Sequence, residues 1–169
     1  SAVWTGSRMV VWGGSGDASF FKSGSRYDPS ADSWISTSET NAPSPRYGHA
    51  AVWTGSRMVV WGGTDDVSYF DSGGRYDPSA DAWLPTTVTG APSPRSPGMA
   101  VWTGSLMVVW GGYDGSYLGT GGRYNPATDA WTPTSATNAP LPRSLHTLVW
   151  TGSLMVVWGG SDASDYFNT

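Results

Sequence analysis

"WTGSRMVVWGG", Trp53 to Gly63, decides the fold, because the chain contains it four times. It stands unchanged at Trp4 to Gly14, and with leucine in place of the arginine at Trp102 to Gly112 and Trp150 to Gly160. Gly55-Ser56 between two apolar runs predicts a two-residue hairpin turn of type II′, with glycine supplying the positive φ. That turn pairs Thr54 with Arg57, Trp53 with Met58, Val52 with Val59, Ala51 with Val60 and Ala50 with Trp61. One face then carries Ala51, Trp53, Met58 and Val60, and the other Ala50, Val52, Val59 and Trp61. Both faces are apolar, so this hairpin is expected to be covered on both sides.

The spacing fixes the period. Successive first tryptophans lie 49, 49 and 48 residues apart. The missing residue falls between Gly112 and Arg123, which predicts a loop there. Three landmarks recur in phase: Arg-Tyr-Asp/Asn-Pro from Arg26, Arg75 and Arg123; a later tryptophan at Trp34, Trp83 and Trp131; and Pro-x-Pro-Arg ending at Arg46, Arg95 and Arg143. After each Gly-Gly a polar loop leads to a third strand around Gly-Arg-Tyr, a turn at Asp-Pro-Ser-Ala-Asp, and a fourth strand opening at the later tryptophan. Pro85 and Pro133 in that last strand cannot donate to a ladder, which places it at a sheet edge. Each repeat therefore reads as a four-stranded meander, apolar on both sides within and polar at its outer edge. Blades stacked radially around an axis satisfy that gradient.

These residues resemble the Kelch repeat: the Gly-Gly after the second strand, the Tyr-Asp of the third, the tryptophan opening the fourth, and Pro-Arg-x-x-His before the next unit. "PRYGHAAVW" (Pro45 to Trp53) and "PRSLHTLVW" (Pro142 to Trp150) match best, whereas "PRSPGMAVW" (Pro94 to Trp102) has Gly98 where the others have His49 and His146. The resemblance covers the whole chain. It implies an all-β propeller of four-stranded antiparallel blades, about three and a half in number, with units of about 1–48, 49–97, 98–145 and a partial unit 146–169. It also implies a non-enzymatic module that recognises peptides, proteins or glycans. The chain is similar to tandem Kelch-type arrays of large secreted bacterial proteins, which implies an extracellular or cell-surface setting.

Composition narrows the function classes. The 169 residues include 11 Trp, 23 Gly and 12 Pro but only 13% charged residues, which suits short aromatic strands and tight turns. Net charge is −4, and Lys22 is the one lysine, so there is no basic field for nucleic acid or an anionic membrane. No apolar run approaches the ~20 residues of a membrane span, and no signal peptide is legible. There is no cysteine, which removes disulfides and thiolate metal sites. It also removes the cysteine-crosslinked tyrosine used by the copper oxidase of similar fold. No nucleophile elbow or phosphate-cradling loop is present, so no enzymatic activity and no cofactor are expected.

His49 and His146 share one repeat position without a carboxylate pattern, which favours packing over metal ligation. Arg46, Arg95 and Arg143 recur at every junction, which favours a framework role on loop carbonyls or an acidic neighbour, and Arg26, Arg75 and Arg123 read alike. Asp28, Asp77, Asp32, Asp81 and Asp129 fall in turns, where aspartate serves its own backbone. The aspartates after Gly-Gly lack the spaced series that calcium requires. Trp53, Trp61, Gly62, Gly63, Arg75, Tyr76 and Trp83 are structural repeat positions together with Arg46 and Arg143.

Topology says where a ligand would be read. In a meander the loops after Gly-Gly and the Pro-x-Pro-Arg junctions share one rim, and the Thr-Gly-Ser turns occupy the other. The first rim varies: "SGDASFFKS", "TDDVSYFDS" and "YDGSYLGT" follow the glycines, and "YGH", "SPG" and "SLH" follow the arginine. The ligand-binding candidates are Tyr47, Asp65, Asp66, Tyr69, Arg95, Tyr113, Asp114 and Tyr117.

Three units and a spare hairpin fall short of the ~4 to 8 blades of closed propellers. Four apolar side chains at ~1.5 to 3 kcal/mol each leave ~6 to 12 kcal/mol of unrealised burial at each open end. The expected partner is therefore the chain itself, as a homo-oligomer completing a ring, or neighbouring repeats of a longer chain. A self-assembling scaffold without a ligand, natural or engineered, is the alternative reading.

Overall fold

Gly55 takes φ +99°, and the Thr54 amide donates to the Arg57 carbonyl at 2.9 Å, closing the expected two-residue turn. In a computed structural model that describes residues 1–17 and 19–169, the register beyond that turn is the expected one. Trp53 faces Met58, Val52 faces Val59, Ala51 faces Val60 and Ala50 faces Trp61. Among the described residues there are strands, turns and loops but no helix.

The first sheet joins β1 (Ala2–Trp4), β2 (Met9–Ser15), β3 (Phe20–Asp28) and β4 (Ser33–Ser36) in sequence order. The second joins β5 (Ala50–Trp53), β6 (Met58–Trp61), β7 (Gly73–Asp77) and β8 (Ala82–Pro85). The third joins β9 (Ala100–Trp102), β10 (Met107–Trp110), β11 (Gly121–Asn125) and β12 (Ala130–Pro133). A last pair, β13 (Thr147–Trp150) and β14 (Met155–Trp158), repeats the inner hairpin alone. All pairings are antiparallel, and the proline-bearing strands β8 and β12 lie at sheet edges, where a missing amide donor is harmless. Strands β1, β5, β9 and β13 lie side by side, so the sheets stack like the blades of a propeller.

The first repeat departs in one detail. Its loop after Gly-Gly was expected to be irregular, but β2 and β3 continue as a ladder, with Gly14 facing Phe21 and Ser15 facing Phe20 after a register shift at Trp12. Phe20 and Phe21 favour extended backbone, and the shift lets the glycine pair interrupt the ladder without ending it. Ala18, within the same quoted loop, lies outside the described residues.

The two faces of each inner hairpin build two different cores. Met58 and Val60, with the half-buried Ala51 and Trp53, pack on Val3, Val10 and Trp12 of the first sheet. Ala50, Val52, Val59 and Trp61 pack on Met107 and Val109 of the third. Tryptophans mark each junction: Trp12 lies 5.3 Å from Trp83, and Trp61 lies 5.1 Å from Trp131. Each outer tryptophan is backed by the tyrosine beside it in its own sheet, Tyr76 at 5.0 Å from Trp83 and Tyr124 at 5.0 Å from Trp131.

Polar ties close the periphery. Asp77 caps its own turn as expected, accepting from the Ser79 amide and hydroxyl, and in the first repeat the same bonds from Ser30 hold the Asp28 carboxyl down at about 2. Asp81 and Asp129 do more than serve their own turns. The Asp81 Oδ1 atom accepts from the Tyr76 hydroxyl at 2.6 Å and from the Ser38 amide, in the segment after β4 of the preceding unit, at 2.9 Å. Asp129 does the same with Tyr124 and Thr87. Arg26 and Arg75 reach forward to the carbonyls of Pro78 and Pro126 in the next sheet, as the framework reading expects. Arg123 occupies the same place on β11 but is exposed.

His49 and His146 also belong to the junctions. His49 stands edge-on to Trp12 and contacts the Ser1 hydroxyl, while His146 stands edge-on to Trp110. At the junction between them, a Cβ on Gly98 would meet the Ala50 amide nitrogen at 2.3 Å, so the backbones approach too closely for any side chain. Burial pushes the His49 imidazole down from 6.5 to about 3, and lowers His146 likewise.

Two predictions follow from this packing. Trp61→Ala empties a junction and should cost about 3–5 kcal/mol in urea unfolding, whereas Trp158→Ala, at a position 59% exposed, should cost under about 1 kcal/mol. Equal costs would contradict the two-faced core. Below pH 6.5 the unfolded chain protonates its histidines while the folded chain does not, so their contribution is present above pH 6.5 and is lost on acidification toward 3. The paired variant His49→Gln with His146→Gln should therefore show a shallower fall in unfolding free energy between pH 6.5 and 4 than the parent does. Identical slopes would remove the histidines from the account.

Candidate binding face

The rim is assembled by its glycines. Gly62 and Gly63 hold φ of +75° and +94°, and the Gly63 amide donates to the Arg95 carbonyl of the next junction at 2.8 Å. A Cβ on Gly63 would meet the Tyr47 carbonyl at 2.6 Å. The same bond runs from Gly14 to Arg46 and from Gly112 to Arg143, each at 2.9 Å. Gly-Gly therefore turns the chain and ties one blade to the following junction, and in the second and third sheets it also follows the end of the strand.

The junction arginines lie beneath this surface. Arg95 is 1% exposed; its Nε donates to the Ser93 carbonyl at 3.0 Å, and its Nη1 to the carbonyls of Gly111 and Thr120 at 3.0 and 2.7 Å. Arg46 and Arg143 repeat the arrangement, and each also lies over a phenylalanine ring, Phe70 or Phe167, at 4.1 Å. Burial lowers Arg46 and Arg95 to about 10, which leaves both charged at neutral pH. Arg95 is thus in the framework, like its two counterparts, and a ligand on the rim would meet the loops above it.

The tyrosine candidates come together on the rim. Tyr47 pairs with Thr64 across an isolated bridge, donates its hydroxyl to Asp66 and stacks on Phe20 at 5.5 Å. Tyr69 meets Tyr113 edge-on at 6.0 Å, and Tyr113 meets Tyr117 at 5.1 Å. A shallow cavity of about 290 Å³ runs between these rings, with Ser96, Ser144 and Leu145 completing its wall. A second, of about 460 Å³, lies between Asp17, Phe20, Tyr47 and Asp66. Asp65 and Asp114 stand beside this surface, not in the cavities, and spend one carboxylate oxygen on their own turns, at the amides of Ser68 and Ser116.

Phe20, Ser96, Ser144 and Leu145 lie in the varied segments that the sequence places on the rim, but are not among its named ligand-binding candidates. Leu145 takes φ +57° where the first junction has Gly48 at +61°, and its side chain is 71% exposed. A leucine in that region of φ is uncommon, and here it stands with an apolar side chain out on the rim. Aligning the junctions shows the mismatch of leucine against glycine, so a signal was present in the sequence.

The comparisons agree with this architecture. No curated protein matches the chain by sequence. Residues 1–160 match the family described as the KLHDC2/KLHL20/DRC7 Kelch-repeats domain. With that match spanning nearly the whole chain, and with four-stranded sheets joined through Gly-Gly and Pro-x-Pro-Arg, the protein belongs to the Kelch-repeat family, whose members generally serve protein interaction.

Proposed function

We propose that this chain is a non-enzymatic binding module that reads a peptide, protein or glycan through the rim of Gly-Gly loops and Pro-x-Pro-Arg junctions, and that its open ends are completed by a second copy of itself. One observation carries the first part: Tyr47, Tyr69, Tyr113 and Tyr117, from successive loops and junctions, share one open surface with the exposed Leu145. Tyrosine offers a large apolar area with a hydroxyl at little cost in side-chain entropy, which is why it concentrates at recognition surfaces.

The charge around these rings is one-sided. The junction arginines are buried against carbonyls, while Asp17, Asp65, Asp66 and Asp114 stand in the loops. Basic peptides and polyhydroxylated sugars fit such a surface better than acidic ligands do. The scaffold reading without a ligand has one observation in its favour: Asp65, Asp114 and Asp162 each bond to backbone amides of their own turns, so these loops are self-sufficient.

Peptide and glycan arrays probed with the purified chain test the reading. A ligand of the rim should lose at least tenfold in affinity with Tyr69→Ala or Tyr113→Ala, about 1.4 kcal/mol or more. Absence of any ligand, or binding that ignores both substitutions, would favour the scaffold. Arg95→Ala should instead lower stability, by about 2–5 kcal/mol in urea unfolding, because it leaves the buried Gly111 carbonyl without its donor and removes the bonds to the Ser93 and Thr120 carbonyls. An unchanged midpoint would contradict the framework role.

A further inference from the structure

The open cavity between the rim tyrosines lies where the repeat departs from itself. Tyr113 stands directly after its Gly-Gly, where the other units have Ser15, Thr64 and Ser161. The one residue that the third unit lacks is missing from the same loop, and the turn there closes on fewer residues. The Asp114 amide donates to the Ser116 carbonyl at 3.2 Å, against Asp65 to Ser68 at 3.3 Å in the second unit. Gly115, at φ +110°, permits the shorter turn. Both loops are still pinned at their ends, by bonds from Phe70 to Gly63 and from Leu118 to Gly112 at 2.9 Å each. The shorter loop pairs Tyr117 with Tyr113 and sets their rings edge-on, inclined at 67°. Tyr69 closes the corner from the second loop, inclined at 76° to Tyr113.

The walls are uncharged and amphipathic. Besides the rings, Thr64, Ser96, Pro97, Ser144 and Leu145 line the cavity, and among the described residues no charged side chain does. The Tyr47 hydroxyl is spent on Asp66, whereas those of Tyr69, Tyr113 and Tyr117 have no partner among the described residues. Asp66 lines the neighbouring hollow with Asp17, and Asp114 holds the Ser116 amide. An ionic group in the cavity would therefore be desolvated without a counter-charge on its walls, which is costly. A wholly apolar ligand would strip water from three phenol hydroxyls and return no bond. A neutral sugar ring answers both demands, because its C–H face packs on an aromatic ring while its hydroxyls meet the phenols. A volume of about 290 Å³ stands at the small end of the ~300–1,000 Å³ range of ligand sites, which suits one such ring.

We propose that this cavity binds a single neutral pyranose ring, a hexose or an N-acetylhexosamine, packed against Tyr113 and hydrogen-bonded by the hydroxyls of Tyr69, Tyr113 and Tyr117. The inference rests on the rim reading above and selects, among the ligands open to it, an uncharged glycan over a basic peptide. A basic peptide would instead seek the acidic hollow on the other side of Tyr47. Every wall of the cavity belongs to loops and junctions between Tyr47 and Leu145, so the site is independent of what covers the two ends of the stack.

Isothermal titration calorimetry of the purified chain with the methyl glycosides of neutral hexoses and N-acetylhexosamines, and with a lysine-rich peptide, gives the test. The parent should bind at least one glycoside. Tyr113→Thr, which installs the residue that the second unit carries at that place, should lower the affinity at least tenfold. Tyr69→Phe and Tyr117→Phe keep both rings and should each lower it by about threefold to tenfold, the worth of one hydrogen bond. Should near-UV circular dichroism show Tyr113→Thr to be misfolded, the two phenylalanine variants carry the test. Glycoside binding that Tyr113→Thr or both phenylalanine variants leave unchanged overturns the assignment to this cavity. Absence of glycoside binding overturns the sugar assignment, and the peptide then separates the two readings. If it binds and Tyr69→Ala weakens it, the rim reading survives, whereas arrays without any ligand of the rim overturn both.

Discussion

A hairpin with two apolar faces needs a neighbour on each side, and the rest of the structure follows from that need. A sheet with one wet face could stand alone, but Val59 and Val60 point to opposite sides of β6 and both are fully buried. Repetition is then the simplest solution, because identical hairpins present mutually complementary faces wherever they stack. The four near-identical copies are a consequence of meeting the same neighbours each time.

The polar groups refine the stack and leave its driving force apolar. Arg26 and Arg75 reach the next sheet at its outer side, the Gly-Gly amides reach the next junction at the rim, and Asp81 and Asp129 collect bonds from their own sheet and from the preceding unit. The bonds from Arg26, Arg75, the Gly-Gly amides, Ser38 and Thr87 cross a blade boundary, so together they fix the relative placement of blades that burial alone would leave free to slide. Burial then sets the chemistry of the groups involved: the junction histidines are held neutral, and the junction arginines are committed to carbonyls. The variable loops are left to carry whatever the module recognises.

The hairpin register, the meander order, the edge strands and the rim were all legible in the sequence, because glycine in a two-residue turn and a period of two along the strands dictate them. The division of labour among charged residues was less so. Arg95 and Asp66 look equally available as letters, but one is buried against three carbonyls while the other stands on the surface with Tyr47. Partners 16 to 25 residues away decided the difference for Arg95, and turn chemistry gave no hint of them. The role of Asp81 between sheets was hidden for the same reason, since its partner Ser38 lies 43 residues earlier. The extended hairpin at Phe20 depended on a local shift at Trp12 that no pattern of alternation encodes.

Hydrogen exchange along the inner strands tests the central claim most directly. Strands β6 and β10 are covered on both faces within one chain, whereas β14 is covered on one. At a dilution where the chain is single, the amides of β6 and β10 should exchange only through global unfolding, and those of β14 faster, by local opening. Protection in β14 equal to that in β6 under those conditions would contradict the account, because it would mean that one covered face is enough.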